Sequence, residues 1–191
     1  VFVAGATGVI GVRLVPLLVD AGHEVAGMMR TPEKAPMLRQ LGAEALVCDV
    51  FDADRVRELV VEFRPDAVVH LLTDLPDDEA RIPEFGPLNS RIRREGTANL
   101  LAAAAAAGAP RFVAESVAWP LEGNGGTAVA DLERAVLGAA GVVVRYGRLY
   151  GPGTYYEQEL PPSPRLQVDE AARRTVPALD APSGVIVAAE G

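Results

Sequence analysis

A short apolar strand that stops at a glycine and restarts as a helix constrains this chain more than any other feature. Residues 1–4 (VFVA) are apolar, GATGVIG follows at 5–11, and Val12, Leu14, Val15, Leu17 and Leu18 carry a mostly apolar helix to Ala21-Gly22. In that context Gly5 permits a tight turn, Gly8 lets backbone approach a pyrophosphate, and Gly11 lets the helix lie close to the strand. The helix N-terminus adds free N–H groups and the positive end of its dipole. The spacing is G-x-x-G-x-x-G, not the commoner G-x-G-x-x-G, and the same glycines also suit a plain strand-to-helix turn.

The rest of the chain repeats the alternation. Strands are predicted at 24–29, 44–48, 66–72, 111–115, 142–145 and 185–188. Helices are predicted from Thr31-Pro32 to 41, over 52–63, 86–107 and 127–140, and as a short helix within 168–184. The strands are apolar on both faces, so the sheet is expected to be parallel with helices above and below it. This is a doubly wound, Rossmann-like α/β fold. A length of 191 residues suits one sizeable core. Residues 1–150 are expected to form the dinucleotide-binding domain, and 151–191 a remnant of a substrate-binding region packed on it.

A formal net charge of -8 argues against a general nucleic-acid surface, which needs a basic face. No apolar run is long enough for a membrane span, and the front of the chain reads as strand and glycine loop rather than as a leader. Cys48 is the single cysteine, so no internal disulfide forms. A cytoplasmic protein with no membrane or nucleic-acid partner is expected.

Several segments, in order, resemble the extended or atypical short-chain dehydrogenase/reductase superfamily, in its NAD-dependent epimerase/dehydratase branch. They are GATGVIG at 5–11, RTPEK at 30–34, CDVFD at 48–52, DAVVHLL at 66–72, EGTANLLAAAAAAG at 95–108, RFVAES at 111–116 and RYGRLYGPGT at 145–154. The resemblance implies a bound nicotinamide dinucleotide and a small-molecule substrate, and leaves a homodimer open. It implies cofactor contacts from Gly5, Ala6, Thr7, Gly8, Val9 and Ile10, from the adenine-side pair Asp49 and Val50, and from Leu71 and Leu72. No metal site is expected.

Arg30 stands nineteen residues beyond Gly11, where a carboxylate selects NAD and an arginine accommodates the 2′-phosphate of NADP. Met28, Met29 and Arg30 offer no carboxylate, and Lys34 adds charge nearby. NADP is the expected cofactor, with NAD as the alternative.

The superfamily's proton relay is a tyrosine with a lysine four residues later. The lysine is needed because a free tyrosine, with a pKa near 10, is a poor base at neutral pH. This chain has one lysine, Lys34, on the adenine side. Aligning Glu133 with the family's glutamate puts Gly125 in the tyrosine slot and Val129 in the lysine slot, in a GNGGT stretch that reads as loop. Ser116, at or one residue before the family's Ser/Thr slot, and Tyr146 are the candidate catalytic residues. Tyr150, Tyr155 and Tyr156 cluster beyond Tyr146. Glu115 is a candidate base, although strand alternation turns either Glu115 or Ser116 away from the site. His70 reads as a packed strand end. Asn89 lies one helical turn before Arg93, which occupies the family's asparagine position, so Asn89 is expected on the same face.

The resemblance implies more chain between the GPG loop at 151–153 and residue 168 than the sequence holds, so the substrate-side extension is partly missing. Two readings follow. One is an NAD(P)-dependent oxidoreductase or epimerase/dehydratase-like enzyme, acting on a small carbonyl or sugar-derived substrate without the usual Tyr-x-x-x-Lys pair. The other is a catalytically inactive dinucleotide-binding redox sensor or regulator.

Overall fold

The computed structural model describes residues 1–76 and 78–190. Seven parallel strands form the main sheet: β1 (Phe2–Ala4), β2 (Ala26–Met29), β3 (Glu44–Val47), β4 (Ala67–His70), β5 (Arg111–Val117), β6 (Val142–Tyr146) and, counted below as β9, Gly184–Ala188. A separate parallel pair, β7 (Arg148–Tyr150) and β8 (Arg165–Gln167), lies beyond β6. The main sheet runs β3-β2-β1-β4-β5-β6-β9. The order reverses between β1 and β4, so a crevice opens at their carboxyl ends, where open α/β sheets take ligands.

Helices α1 (Gly11–Asp20), α2 (Ala35–Gln40), α3 (Ala53–Phe63), α4 (Ile82–Arg91), α5 (Thr97–Ala107), α6 (Gly123–Gly138) and α7 (Val168–Thr175) cover the sheet. Val3, Val69, Val113 and Val144 pack with α1 residues Leu14 and Leu18 and α7 residues Ala171 and Ala172 in one core. Phe2, Val68, Ala114 and Val143 pack with α3, α5 and α6 in the other. Two buried faces explain the apolar strands. The alanines of α5 let it lie close: Ala103 and Ala104 are buried.

Local chemistry fixes the boundaries. Asp52 accepts a hydrogen bond from the Arg55 N–H at 3.1 Å and caps α3. Gly108, at φ +70, ends α5 in the left-handed conformation that glycine adopts without strain. Gln167 accepts from the N–H groups of Asp169 and Glu170 and starts α7.

Two boundaries differ from the sequence reading. Helix α4 begins at Ile82 rather than 86, because Asp78 caps the preceding 3-10 turn and Pro83 sits in the first turn, where its missing N–H costs nothing. The GNGGT stretch is not a loop but the first turn of α6. Glycines are poor helix formers, but at 126 the close approach of the Leu121 carbonyl leaves no room for a Cβ. Helices α4 and α5 are joined by a π turn over Ile92–Gly96. The connection from the GPG loop to β8 is closed within residues 154–164, and β9 completes the main sheet beside β6.

Candidate active site

The crevice floor is built around the glycine loop. Gly5 has φ +88, and a Cβ there would lie 2.7 Å from the Leu71 carbonyl oxygen. Gly11 is pressed against the backbone of Gly5 and Ala6. The Gly5 N–H donates to the Met28 carbonyl at 3.2 Å and the Gly8 N–H to the Gly5 carbonyl at 3.0 Å. Gly8 differs from both. It is exposed, has no positive φ, and a Cβ on it would meet a single neighbour within 4 Å, the Gly5 carbonyl oxygen at 3.3 Å. The fold requires glycine at 5 and 11 and makes no such demand at 8. Ala6 and Ile10 turn their side chains into the core, so only their backbone faces a ligand, while Thr7 and Val9 are half-buried.

Leu71 and Leu72 continue β4 along this floor. The Leu71 N–H donates to the Ala4 carbonyl at 2.8 Å, and the Leu72 N–H donates to His70 Nδ1 at 3.2 Å. His70 is fully buried, and with Nδ1 accepting, its Nε2–H donates to Thr97 Oγ1 at 3.1 Å. Burial, with Arg93 adding to it, holds the imidazole pKa down to about 4, so it is neutral. It braces the floor rather than moving protons.

A cleft lined by Met29, Arg30, Cys48, Asp49, Phe51 and Leu72 opens beyond the ends of β2 and β3. Asp49 accepts from the Phe51 N–H at 3.0 Å, and Val50 is buried against Gly96. The Arg91 guanidinium lies 3.8 Å from the centre of the Phe51 ring. Arg30 ion-pairs with Asp74 at 2.5 Å. The Asp74 N–H donates to Asn89 Oδ1 at 2.8 Å, and Asn89 Nδ2 donates to the Asp74 carbonyl at 2.5 Å. Asn89, read in the sequence as a cofactor contact, holds the loop that presents Asp74. Asp74 itself carried no sequence signal, being 44 residues from its partner.

Both candidate catalytic residues have their hydroxyls engaged inside the protein. Ser116 is buried and donates to Glu133 Oε1 at 2.6 Å. Glu133 also receives two hydrogen bonds from Arg145, at 2.8 and 2.5 Å, and these hold its carboxyl below the usual range. Ser116 thus belongs to the β5–α6–β6 packing. Tyr146 is buried, its hydroxyl shares a hydrogen bond with Thr175 at 2.6 Å, and burial raises its pKa well above the usual value. Its ring fills the α7 side of the sheet for the ordinary reason that a strand-end tyrosine packs. Among the other tyrosines, Tyr150 reaches Glu190, Tyr155 the Pro76 carbonyl and Tyr156 Glu79. The last two tie the segment after the GPG loop to the loop after β4. Arg13 adds a second clamp, donating to the Pro152 carbonyl at 2.7 Å and to Asp169 at 2.6 Å.

Gly125 and Val129 lie four apart on α6, hence on one face of a helix. The arrangement offers a bare-backbone cradle at a helix N-terminus, with a small cleft and a guanidinium beyond it. No group of three or more potential metal-ligating residues is present among the described residues.

Comparison with known proteins agrees with this geometry. A family model described as NAD(P)H-binding matches residues 5–121. The chain is 41% identical over 183 residues to a 3-diazoavenalumate denitrifying reductase of Streptomyces sp, covering 83% of this chain and 59% of that protein. It is 31% identical over 115 residues to a 3-beta-hydroxysteroid dehydrogenase of Mycolicibacterium neoaurum, covering 59% of this chain and 30% of that one. The chain thus spans less than two thirds of these relatives. The fold matches the UDP-glucose 4-epimerase of Thermus thermophilus in complex with NAD, with a TM-score of 0.80, 21% identity, and coverage of 100% of this chain and 77% of that one. It also matches the UDP-glucose 4-epimerase of Thermotoga maritima with UDP-glucose, with a TM-score of 0.81, 17% identity, and coverage of 98% and 76%. No helix among the described residues is long and apolar enough to cross a membrane.

Proposed function

The chain belongs to the NAD(P)H-binding family within the short-chain dehydrogenase/reductase superfamily, and from that premise we propose that it is an NADPH-dependent reductase of a small electrophile. The observation that carries this reading is Gly8, an exposed glycine that the fold itself does not require. Bound there, a dihydronicotinamide cofactor supplies hydride.

The α6 slots favour reduction over epimerisation. Oxidising a sugar hydroxyl needs a base to take the proton from oxygen, and Gly125 and Val129 offer none. An arenediazonium acceptor makes no such demand, and a carbonyl acceptor needs a proton donor rather than a base. The Streptomyces relative is named for denitrifying a diazo compound. For an arenediazonium, one hydride replaces the nitrogen: the C–N bond breaks, C–H forms, and N2 leaves without proton transfer to oxygen. We therefore place arenediazonium and conjugated carbonyl compounds in the substrate class. The test is NADPH oxidation against an arenediazonium salt, a quinone and an aromatic aldehyde, beside UDP-glucose epimerisation. The reading expects oxidation with at least one acceptor and no epimerisation. Epimerisation without net NADPH oxidation contradicts it.

Cofactor choice is expected to rest on Arg30 and Asp74 together. The Asp74 carboxylate neutralises the guanidinium that a 2′-phosphate needs, so Asp74→Asn is expected to tighten NADPH about 5- to 10-fold while leaving NADH unchanged. Arg30→Ala is expected to weaken NADPH by roughly 10- to 100-fold, the 1.5–3 kcal/mol of a charge-assisted hydrogen bond. Fluorescence titration of both cofactors checks each variant; equal affinities for wild type and Arg30→Ala would make Arg30 a bystander.

A further inference from the structure

Strand β5 divides its carboxyl end between two faces. Phe112 and Ala114 belong to the α3–α5–α6 core and Val113 to the α1 core. Alternation then sends Ser116 to α6, as its bond to Glu133 demands, and Glu115 to the α1 side. Ladder register sets the height. His70 lies opposite Ala114, so Glu115 stands level with the next residue along β4, Leu71, whose carbonyl packs on Gly5. One strand separates Glu115 from the glycine loop.

Arg93 approaches the same edge from the π turn between α4 and α5. Its guanidinium acts electrostatically on both His70 and Glu115. π turns are found most often at functional sites, because the extra residue re-aims side chains. Among the described residues, no hydrogen bond or ion pair engages the side chain of Glu115 or Arg93, whereas Glu133 and Asp74 are fully engaged. Among the described residues no side-chain oxygen or nitrogen sealed from solvent lacks a partner, and Glu115 and Arg93 are half-buried.

We propose that Glu115, in the field of Arg93, is the proton-handling residue at the carboxyl edge of the sheet, doing for the substrate oxygen what the absent tyrosine–lysine pair does elsewhere. The proposal rests on the reductase reading above. For a carbonyl acceptor, a C–H bond forms as the C=O π bond breaks, and the Glu115 O–H passes its proton to the resulting alkoxide oxygen. The carboxylate left behind is stabilised by the charge of Arg93 and is reprotonated from solvent. Burial pushes the Glu115 carboxyl up to about 7, with Arg93 opposing the rise, so the acid form is present at neutral pH. The charged and titratable groups around it are Arg93 from the π turn, Tyr146 from β6 and, through Arg93, His70 from β4.

The test uses Glu115→Gln, Arg93→Met and 4-nitrobenzaldehyde as probe acceptor. Glu115→Gln is expected to keep its affinity for NADPH within about twofold and lose about 10²- to 10⁴-fold in kcat, the usual worth of general acid–base assistance. In wild type, kcat falls as pH rises through about 7; in Glu115→Gln that limb disappears. In Arg93→Met it moves to higher pH, because the charge that lowers the carboxyl pKa is gone. Infrared difference spectroscopy gives a readout independent of turnover. A protonated carboxyl band is expected that titrates near neutral pH, shifts when NADPH binds, and is missing in Glu115→Gln. Wild-type kcat and pH profile in Glu115→Gln would overturn the proposal. So would a carboxyl band indifferent to NADPH. If wild type binds NADPH and reduces nothing, the reductase reading fails, and the infrared titration still decides whether Glu115 faces the cofactor.

Discussion

Gly8→Val is expected to leave the protein folded and to remove its cofactor affinity. The contrast with Gly5 makes the expectation specific. At Gly5 any side chain meets both a left-handed φ of +88 and the Leu71 backbone, so Gly5→Val loses the fold along with the site. At Gly8 an added Cβ meets one carbonyl at 3.3 Å and otherwise points outward, so the expected loss of stability is about 1 kcal/mol or less, a Tm change of roughly 2–4 °C. The NADPH dissociation constant is expected to rise at least about 100-fold, because branched carbon then stands where backbone must approach pyrophosphate. Thermal unfolding with fluorescence titration checks both halves. A variant that binds NADPH as wild type does would reduce the glycine loop to a turn.

His70→Ala carries the second large effect, on stability and its pH dependence. The ring is fully buried, accepts from the Leu72 N–H and hydrogen-bonds Thr97. Its loss leaves a cavity and two unpaired polar groups, about 2–4 kcal/mol, or a Tm lower by roughly 5–12 °C at pH 7. Folding also holds the imidazole pKa at about 4 against an ordinary 6.5. A depressed histidine pKa favours the neutral form in the folded state. The stability it confers is therefore complete above about 6.5 and is lost as pH falls toward 4. Wild type is expected to lose stability across that window, and His70→Ala to lose less of it. Calorimetry at pH 7 and pH 4.5 measures both; parallel Tm–pH curves would refute the buried neutral imidazole.

How much of this was legible in the sequence follows from what kind of signal each feature leaves. The strand positions, the glycine loop, the helix from 52 and the Thr31-Pro32 start are local patterns, and each stands in the structure close to where its residues predict it. The GNGGT helix turn was hidden because intrinsic propensity opposes it, three of its five residues being glycine. The parity of β5 was invisible for another reason. Phe112, Val113 and Ala114 are all apolar because both faces of the strand are buried, so alternation in the sequence does not say whether Glu115 or Ser116 meets the crevice. Tyr146 was drawn to the site by its position at a strand end, but Thr175, 29 residues later, holds its hydroxyl inside. The Arg30–Asp74 pair joins two loops and leaves no periodic trace at all. Arg93 was visible as a departure from the family's asparagine, and the π turn gives that departure a use.

Hydride transfer itself is the most direct test. NADPH deuterated at the transferable C4 position, incubated with the protein and with the arenediazonium, the aldehyde and an α,β-unsaturated ketone in turn, is expected to deliver deuterium to a carbon of at least one product, as read by mass spectrometry. Protein that binds this NADPH through the glycine loop, yet transfers no deuterium to any of the three, would contradict the reductase account and leave a dinucleotide-binding sensor in its place.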